Sequence, residues 1–165
     1  MVEFQVSDEL RRRYGGDVNF FLEVLDNAAD PDLGPKCNPQ VSGFCVRAAT
    51  IVWEDSDTPQ AISGGNTEYR DPRSIHAETS LVNHVINGYG PERTRELLKV
   101  IALYTSGGAA MPCGDCRDFL LASTDPESLV IVSAGEKDPN VQIHPFTDFL
   151  FPEESFYIQI YFSIE

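Results

Sequence analysis

The sequence is poor in basic residues and contains no long apolar run. Its 12 Lys and Arg face 26 Asp and Glu, which gives a formal charge of −14 at pH 7. Such a field repels phosphate backbones, so the composition favours a small substrate over nucleic acid. No apolar stretch approaches the roughly 20 residues that a bilayer span requires, and Met1–Gln5 lack the basic start of a signal peptide. We therefore expect a cytoplasmic protein that does not enter a membrane.

Cysteine and histidine are also scarce, with four and three residues respectively. Two of the cysteines, Cys113 and Cys116, form a C-x-x-C pair. In an intracellular protein this pair indicates metal binding or redox chemistry before a structural disulfide. The 165 residues, 42% of them apolar, suffice for one domain with its own core, and we predict a single domain over residues 1–165.

Predicted helices and strands alternate along the chain. Apolar spacing predicts helices at 17–29 and from 76 to about 87, and a loop lies between 30 and 43. Strands are predicted at 44–53, 61–64, 97–104, 129–133 and 156–163, and two further helices at 145–150 and from Pro112, in its first turn. This alternation is typical of a layered α/β domain. Residues 1–40 are predicted to add one packing helix and a loop.

Two short segments carry the residues of a zinc site. Cys113 and Cys116 offer two thiolates, whose pKa a helix N-terminus would lower. His76 offers a third ligand, which leaves one coordination position for water, as in catalytic zinc sites. A fourth protein ligand, from Cys37, Cys45 or His144, would instead make the site structural.

Glu78 lies two residues after His76, a spacing that points the two side chains apart on a regular helix. It is therefore predicted to act as a proton shuttle and not as a ligand. The pattern H-x-E followed by P-C-x-x-C is typical of zinc deaminases. In that chemistry zinc activates water for attack on C4 of cytosine, and Glu78 would carry protons to ring N3 and to the leaving amine.

Beyond the metal motifs, the chain resembles the nucleoside cytidine deaminases in four segments that keep the family's order. They are Ser42–Ala49 for S-x-F-x-V-G-A-A, Gly64–Glu68 for G-x-N-x-E, Pro112–Arg117 for P-C-G-x-C-R, and Leu150–Phe156 for L-L-P-x-x-F with one extra residue. The resemblance covers about residues 42–156. It implies a three-layer α/β/α fold with a mixed central sheet, one zinc ion, and a homo-oligomer that is a dimer or tetramer.

The resemblance also implies contacts with a nucleoside. Asn66 and Glu68 would hydrogen-bond the ribose, and Phe44 would pack on the pyrimidine. The N–H of Ala77 would bond to the ring oxygen, and the C=O of Met111 would accept a hydrogen bond from the amine. Phe156 would close a pocket, which in related enzymes belongs to a neighbouring subunit. Without the resemblance, Phe44 and Phe156 would be ordinary core aromatics and Asn66 an ordinary turn residue.

Several residues depart from the family pattern. Arg47 replaces a glycine, Asp118 replaces a glutamine, and Thr79 stands where members with three cysteine ligands carry arginine. Thr79 agrees with a neutral histidine ligand, which leaves less negative charge to compensate. Arg70 and Arg73 are either surface charges or groups that bind an acidic substituent on a modified substrate.

Three classes of function remain open from the sequence. The first is hydrolytic deamination of cytidine or deoxycytidine, or of a modified cytosine nucleoside such as blasticidin S. The second is a nucleic-acid deaminase similar to the tRNA adenosine deaminases, which the acidic charge and the C-G-x-C-R form disfavour. The third is a zinc-stabilised binding module without turnover, in which Glu78 would have no role.

Overall fold

The computed structural model describes residues 2–32, 36–54, 58–69 and 74–150. Its α-helices are α1 (Asp8–Tyr14), α2 (Asp17–Ala29), α3 (Ala77–Tyr89), α4 (Pro91–Leu97) and α5 (Gly114–Ser123). Its strands are β1 (Val46–Val52), β2 (Gln60–Gly65), β3 (Thr67–Glu68), β4 (Ser74–Ile75), β5 (Val100–Thr105), β6 (Val130–Gly135) and β7 (Asp138–Pro145), and a 3-10 turn follows at Phe146–Phe149.

Five of the strands form a mixed sheet in the order β2-β1-β5-β6-β7. The β5–β6 pair is parallel, and the other three pairs are antiparallel. A parallel pair needs a crossover connection, and α5 lies within it. The short strands β3 and β4 form a separate antiparallel pair directly before α3.

Helices cover both faces of the sheet. Alternation along β5 sends Tyr104 toward α2 and Leu103 toward α3 and α5, because successive side chains of a strand point to opposite faces. The helix α2 packs on β1 and β5, and α3 packs on β1 and β2 and contacts α4 and α5. The predicted three-layer α/β/α fold with a mixed central sheet is therefore confirmed.

The apolar period gave the bounds of α2 correctly, since its residues at spacings of three and four are buried. Several boundaries were wrong by two or three residues, and the helix predicted at 145–150 is the 3-10 turn Phe146–Phe149. Pro112 does not open a helix, because α5 begins at Gly114 with Cys113 as its N-cap. The strand predicted from Leu97 begins only at Val100, because Leu97 ends α4.

Other elements were missed. The described residues of 1–40 contain two helices and not one. The helix α1 was missed because none of its residues is fully buried and only Leu10 and Tyr14 pack on the core. The strand β7 was also missed, although Val141 and Ile143 alternate with more exposed residues. The predicted strand at 156–163 lies outside the described residues. Among the described helices, none has the length and apolar character to cross a bilayer.

Candidate metal centre and adjoining pocket

Two helix N-termini bring the three predicted zinc ligands together. His76 is the N-cap of α3, and Cys113 is the N-cap of α5, both with extended backbone. Cys116 lies in the first turn of α5 and is buried. Neither N-cap side chain bonds to the N–H groups of its own helix. Because these side chains are not used as caps, both are available to a metal.

The donor atoms lie close enough to share one ion. Nδ1 of His76 lies 3.2 Å from Sγ of Cys113 and 3.2 Å from Sγ of Cys116. Two ligands of one tetrahedral zinc are roughly 3.5 Å apart, given Zn–N near 2.0 Å and Zn–S near 2.3 Å. Within the described ranges, this is the one group of three His, Cys, Asp or Glu side chains with such spacing. One imidazole and two thiols are donors that zinc prefers, so the residues fit this metal.

The acidic groups at the site would also be stabilised by a bound cation. Burial, followed by the negative charge of Glu78, raises the pKa of the Cys116 thiol well above its usual range. A coordinated divalent cation acts in the opposite sense, since a thiol that binds it loses its proton. Glu78 is itself buried in the first turn of α3, with 5% of its surface exposed. A metal ion would therefore compensate two buried acidic groups at once.

The sheet reaches α3 through a glycine. A Cβ atom at Gly64 would overlap the backbone of Leu81 and lie 2.8 Å from the carbonyl oxygen of Ala77. A residue without a side chain thus lets β2 approach the first turns of α3, where His76 and Glu78 lie.

A cavity of about 250 Å³ opens beside the ligands. Its lining includes Glu78 and two of the predicted metal ligands, His76 and Cys113. It also includes all the predicted substrate residues that the structure describes, which are Phe44, Asn66, Glu68, Ala77 and Met111. Phe156 lies outside the described residues. The volume is near the lower end for small-ligand pockets.

Four lining residues were not predicted: Val46, Ser74, Leu103 and Ala110. Strand alternation could have indicated Leu103, which follows the period of its sheet face. Ala110 is held by its N–H, which donates to the buried hydroxyl of Ser133 at 2.8 Å. No sequence pattern indicates that contact, because 23 residues separate the two.

Asn66 and Glu68 make hydrogen bonds within the protein. Oδ1 of Asn66 accepts from Val46 N–H at 3.0 Å, and its Nδ2 donates to the carbonyl of Phe44 at 2.9 Å. Oε2 of Glu68 accepts from the N–H groups of Val41 and Ser42, and Oε1 accepts from the Ser42 hydroxyl. Contact of either side chain with a ribose stays a prediction.

Those residues that depart from the family pattern and that the structure describes lie away from the cavity. Arg47 points to the opposite face of the sheet, and its guanidinium donates to the carbonyl of Ala29 at the C-terminus of α2. A cation is favourable at that helix end. Asp118 is exposed on α5 and Thr79 is half-buried on α3, neither of them lining the cavity, and Arg70 and Arg73 lie outside the described residues.

The residues considered as a fourth ligand are engaged elsewhere. Cys37 and Cys45 form a disulfide with a Cα–Cα distance of 5.6 Å. His144 lies on β7, 3.8 Å from the carboxylate of Asp148 and against the ring of Phe149. The three-ligand arrangement of a catalytic zinc site is therefore the one that these residues fit.

The fold resembles solved structures of bacterial cytidine deaminases. The enzyme from Burkholderia pseudomallei aligns over 71% of this chain and 87% of its own, with a TM-score of 0.60 and 24% identity. The enzyme from Mycobacterium tuberculosis aligns over 82% and 95%, with a TM-score of 0.55 and 25% identity. A variant of that enzyme aligns over 82% and 96%, with a TM-score of 0.58 and 26% identity.

No protein-family model matches the sequence, and neither does any curated protein. The resemblance that the motifs indicate is nevertheless confirmed by solved cytidine deaminases that share this fold and are 25% and 26% identical to the chain.

Proposed function

We propose that this protein catalyses the zinc-dependent hydrolytic deamination of a cytosine nucleoside, cytidine or deoxycytidine, to the uracil nucleoside and ammonia. The observation that carries the proposal is one constellation: three zinc-type donors lie together, and two of them open with a buried carboxylate into a small cavity. Neighbours that are cytidine deaminases support the same reaction.

The metal would be held by His76, Cys113 and Cys116. When bound there, zinc supplies Lewis-acid activation of water. Its two thiolate ligands balance the double charge of the ion, and neutral His76 adds none. The burial of Cys116 limits the access of bulk water to this side of the site.

Glu78 would carry the protons. Its carboxylate takes a proton from the attacking water, delivers it to ring N3, and moves a second proton to the amine. The C4–N bond then breaks, ammonia leaves, and C4 keeps the oxygen as a carbonyl. The proton balance closes, because the water gives both of its protons, one to N3 and one to the leaving group. Burial beside the cavity suits a shuttle that must not exchange with bulk solvent.

The remaining lining residues would bind the nucleoside. Phe44 would provide an apolar wall for the pyrimidine, while the N–H of Ala77 and the C=O of Met111 would bond its polar edge. The proposed assembly is a homo-oligomer, a dimer or a tetramer, in which Phe156 would close a pocket. The proposed location is the cytoplasm, although disulfides such as Cys37–Cys45 are uncommon in that reducing compartment.

Ammonia release from cytidine and deoxycytidine by the zinc-loaded protein tests the function. We expect turnover by the wild type and a fall of about 10²- to 10⁴-fold in Glu78→Gln, which keeps the shape of the side chain but cannot shuttle protons. The exposed Glu92→Gln on α4 is the matched control and should keep full activity.

A panel that adds modified cytosine nucleosides and a single-stranded oligonucleotide separates the other classes. Turnover of an oligonucleotide alone would replace the proposed substrate with a nucleic acid. Zinc-bound, folded protein that is inert toward the whole panel would contradict the enzymatic function.

A further inference from the structure

Phe44 is an exposed aromatic residue, yet it lines the cavity. Of its surface, 42% is accessible, so packing alone holds it weakly. Its backbone is bonded on both sides: the N–H donates to Oγ of Ser42 at 2.9 Å, and the carbonyl accepts from Nδ2 of Asn66 at 2.9 Å. Polar contacts therefore hold the backbone from which this ring extends.

Ser42 links Phe44 to a carboxylate. Its hydroxyl donates to Oε1 of Glu68 at 2.6 Å while it accepts from the N–H of Phe44. A serine hydroxyl has one proton to donate, so these two bonds fix its orientation. The hydroxyl of Ser42 first, and its N–H next, lower the pKa of Glu68 below the usual range. Glu68 is thus an ionised acceptor at neutral pH, and hydrogen bonds to charged acceptors are the stronger kind.

The turn that carries Ser42 is tied to the rest of the protein at both ends. We call residues 38–44 the pocket turn. At its start, the N–H of Asn38 donates to the carbonyl of Asn66, and the carbonyl of Asn38 accepts from the N–H of Glu68. The disulfide between Cys37 and Cys45 joins the residues that flank it. Its tip has one tie to β3, the carboxylate of Glu68, which accepts from Val41 and Ser42.

From this geometry we propose that Ser42 is a positioning residue for the nucleoside pocket: its hydroxyl transmits the fixed position of Glu68 to the backbone of Phe44. This inference rests on the proposed function for its effect on substrate binding. Ser42 does not line the cavity, so it acts through Phe44. Glu68 serves the pocket by holding the turn, a role that requires no contact with the ribose.

Ser42→Ala removes the hydroxyl, and Ser42→Thr keeps it. We expect Ser42→Ala to raise KM for cytidine by about 2- to 10-fold, the size expected for the loss of one ordinary hydrogen bond, because the bond to Glu68 is exposed to solvent. The kcat and the zinc content should stay within about twofold of the wild type, because uniform binding is lost and not the chemistry. Ser42→Thr should keep the KM of the wild type. An unchanged KM in Ser42→Ala, or an equal loss in Ser42→Thr, overturns the proposal.

Amide hydrogen exchange provides a second readout that needs no substrate. In Ser42→Ala the N–H of Phe44 loses its acceptor, and its exchange should accelerate by about tenfold or more, while Ser42→Thr exchanges as the wild type does. Unchanged exchange at Phe44 in Ser42→Ala also overturns the proposal. A wild type that turns over no nucleoside would contradict the proposed function instead, and the exchange rates would then decide on Ser42.

Discussion

His76, Cys113 and Cys116 are positioned by two helices, whereas Phe44 is positioned by a turn whose residues from 40 to 44 are exposed. The helices pack on the sheet through buried apolar side chains, so the metal centre depends on the core. The pocket turn depends on a disulfide and on hydrogen bonds from Asn66 and Glu68. The metal-centre wall of the cavity is thus held by the core, and the Phe44 wall is held by the pocket turn. We therefore expect kcat and KM to respond to substitutions in different regions.

Replacement of a cysteine in the metal centre should have the largest effect. Cys116→Ser removes a buried thiol that is a proposed zinc ligand, and we expect zinc affinity to fall at least about 100-fold and nucleoside turnover to be lost with it. Bound zinc can be measured by elemental analysis after dialysis, with ammonia release measured on the same sample.

The same chemical change at the two cysteines that flank the pocket turn provides the comparison. The double variant Cys37→Ser with Cys45→Ser opens the disulfide but touches no ligand, so zinc content and kcat should be kept while KM rises a few-fold. Loss of zinc in this double variant would show that the two regions are not independent.

A smaller effect is expected where the ring of Phe44 meets the turn after β5. A Cβ atom at Gly107 would lie 2.8 Å from Cε2 of Phe44, closer than real Cβ contacts. Because the ring is partly exposed, it should move and not the backbone, and Gly107→Ala should raise KM only about twofold at constant kcat. Steady-state kinetics with cytidine measures both constants.

The neighbouring Gly108 is the matched control for this substitution. A Cβ atom there would lie 3.8 Å from the Cβ of Asp138, an ordinary contact, so Gly108→Ala should behave as the wild type. Equal KM values in Gly107→Ala and Gly108→Ala would show that the position of the Phe44 ring does not affect nucleoside binding.

The same contrast explains what the sequence could predict. The grouping of His76, Cys113, Cys116 and Glu78 could be predicted because their spacing is a local pattern and because helix starts favour anionic groups. The contacts of Glu68 with Ser42 join residues 26 apart and belong to no motif. The disulfide was not predicted either, although only eight residues separate its cysteines, because pairing depends on Cα distance and direction and not on spacing. The start of a helix can thus be predicted from a local sequence pattern, whereas the tertiary contacts of an exposed turn cannot.

The smallest predicted effect is on the titration of Glu68. Its pKa in the folded protein is lowered, so the carboxylate stabilises the folded turn above the ordinary value of 4.5 and loses this contribution as pH falls through the lowered pKa. The midpoint of the carboxyl ¹³C shift of Glu68 should therefore lie below 4.5 in the wild type.

In Ser42→Ala that midpoint should move up toward the ordinary value, because the Ser42 hydroxyl is the largest cause of the lowering. The amide of Phe44, observed in the same titration, should shift with the same midpoint in the wild type, since Ser42 connects the two groups. NMR detection keeps this test separate from the proposed activity, which we expect to fall at acidic pH as the proposed zinc ligands bind protons. A wild-type midpoint at or above 4.5 would mean that Glu68 is not the ionised anchor of the turn, and the Phe44 wall of the cavity would need another explanation.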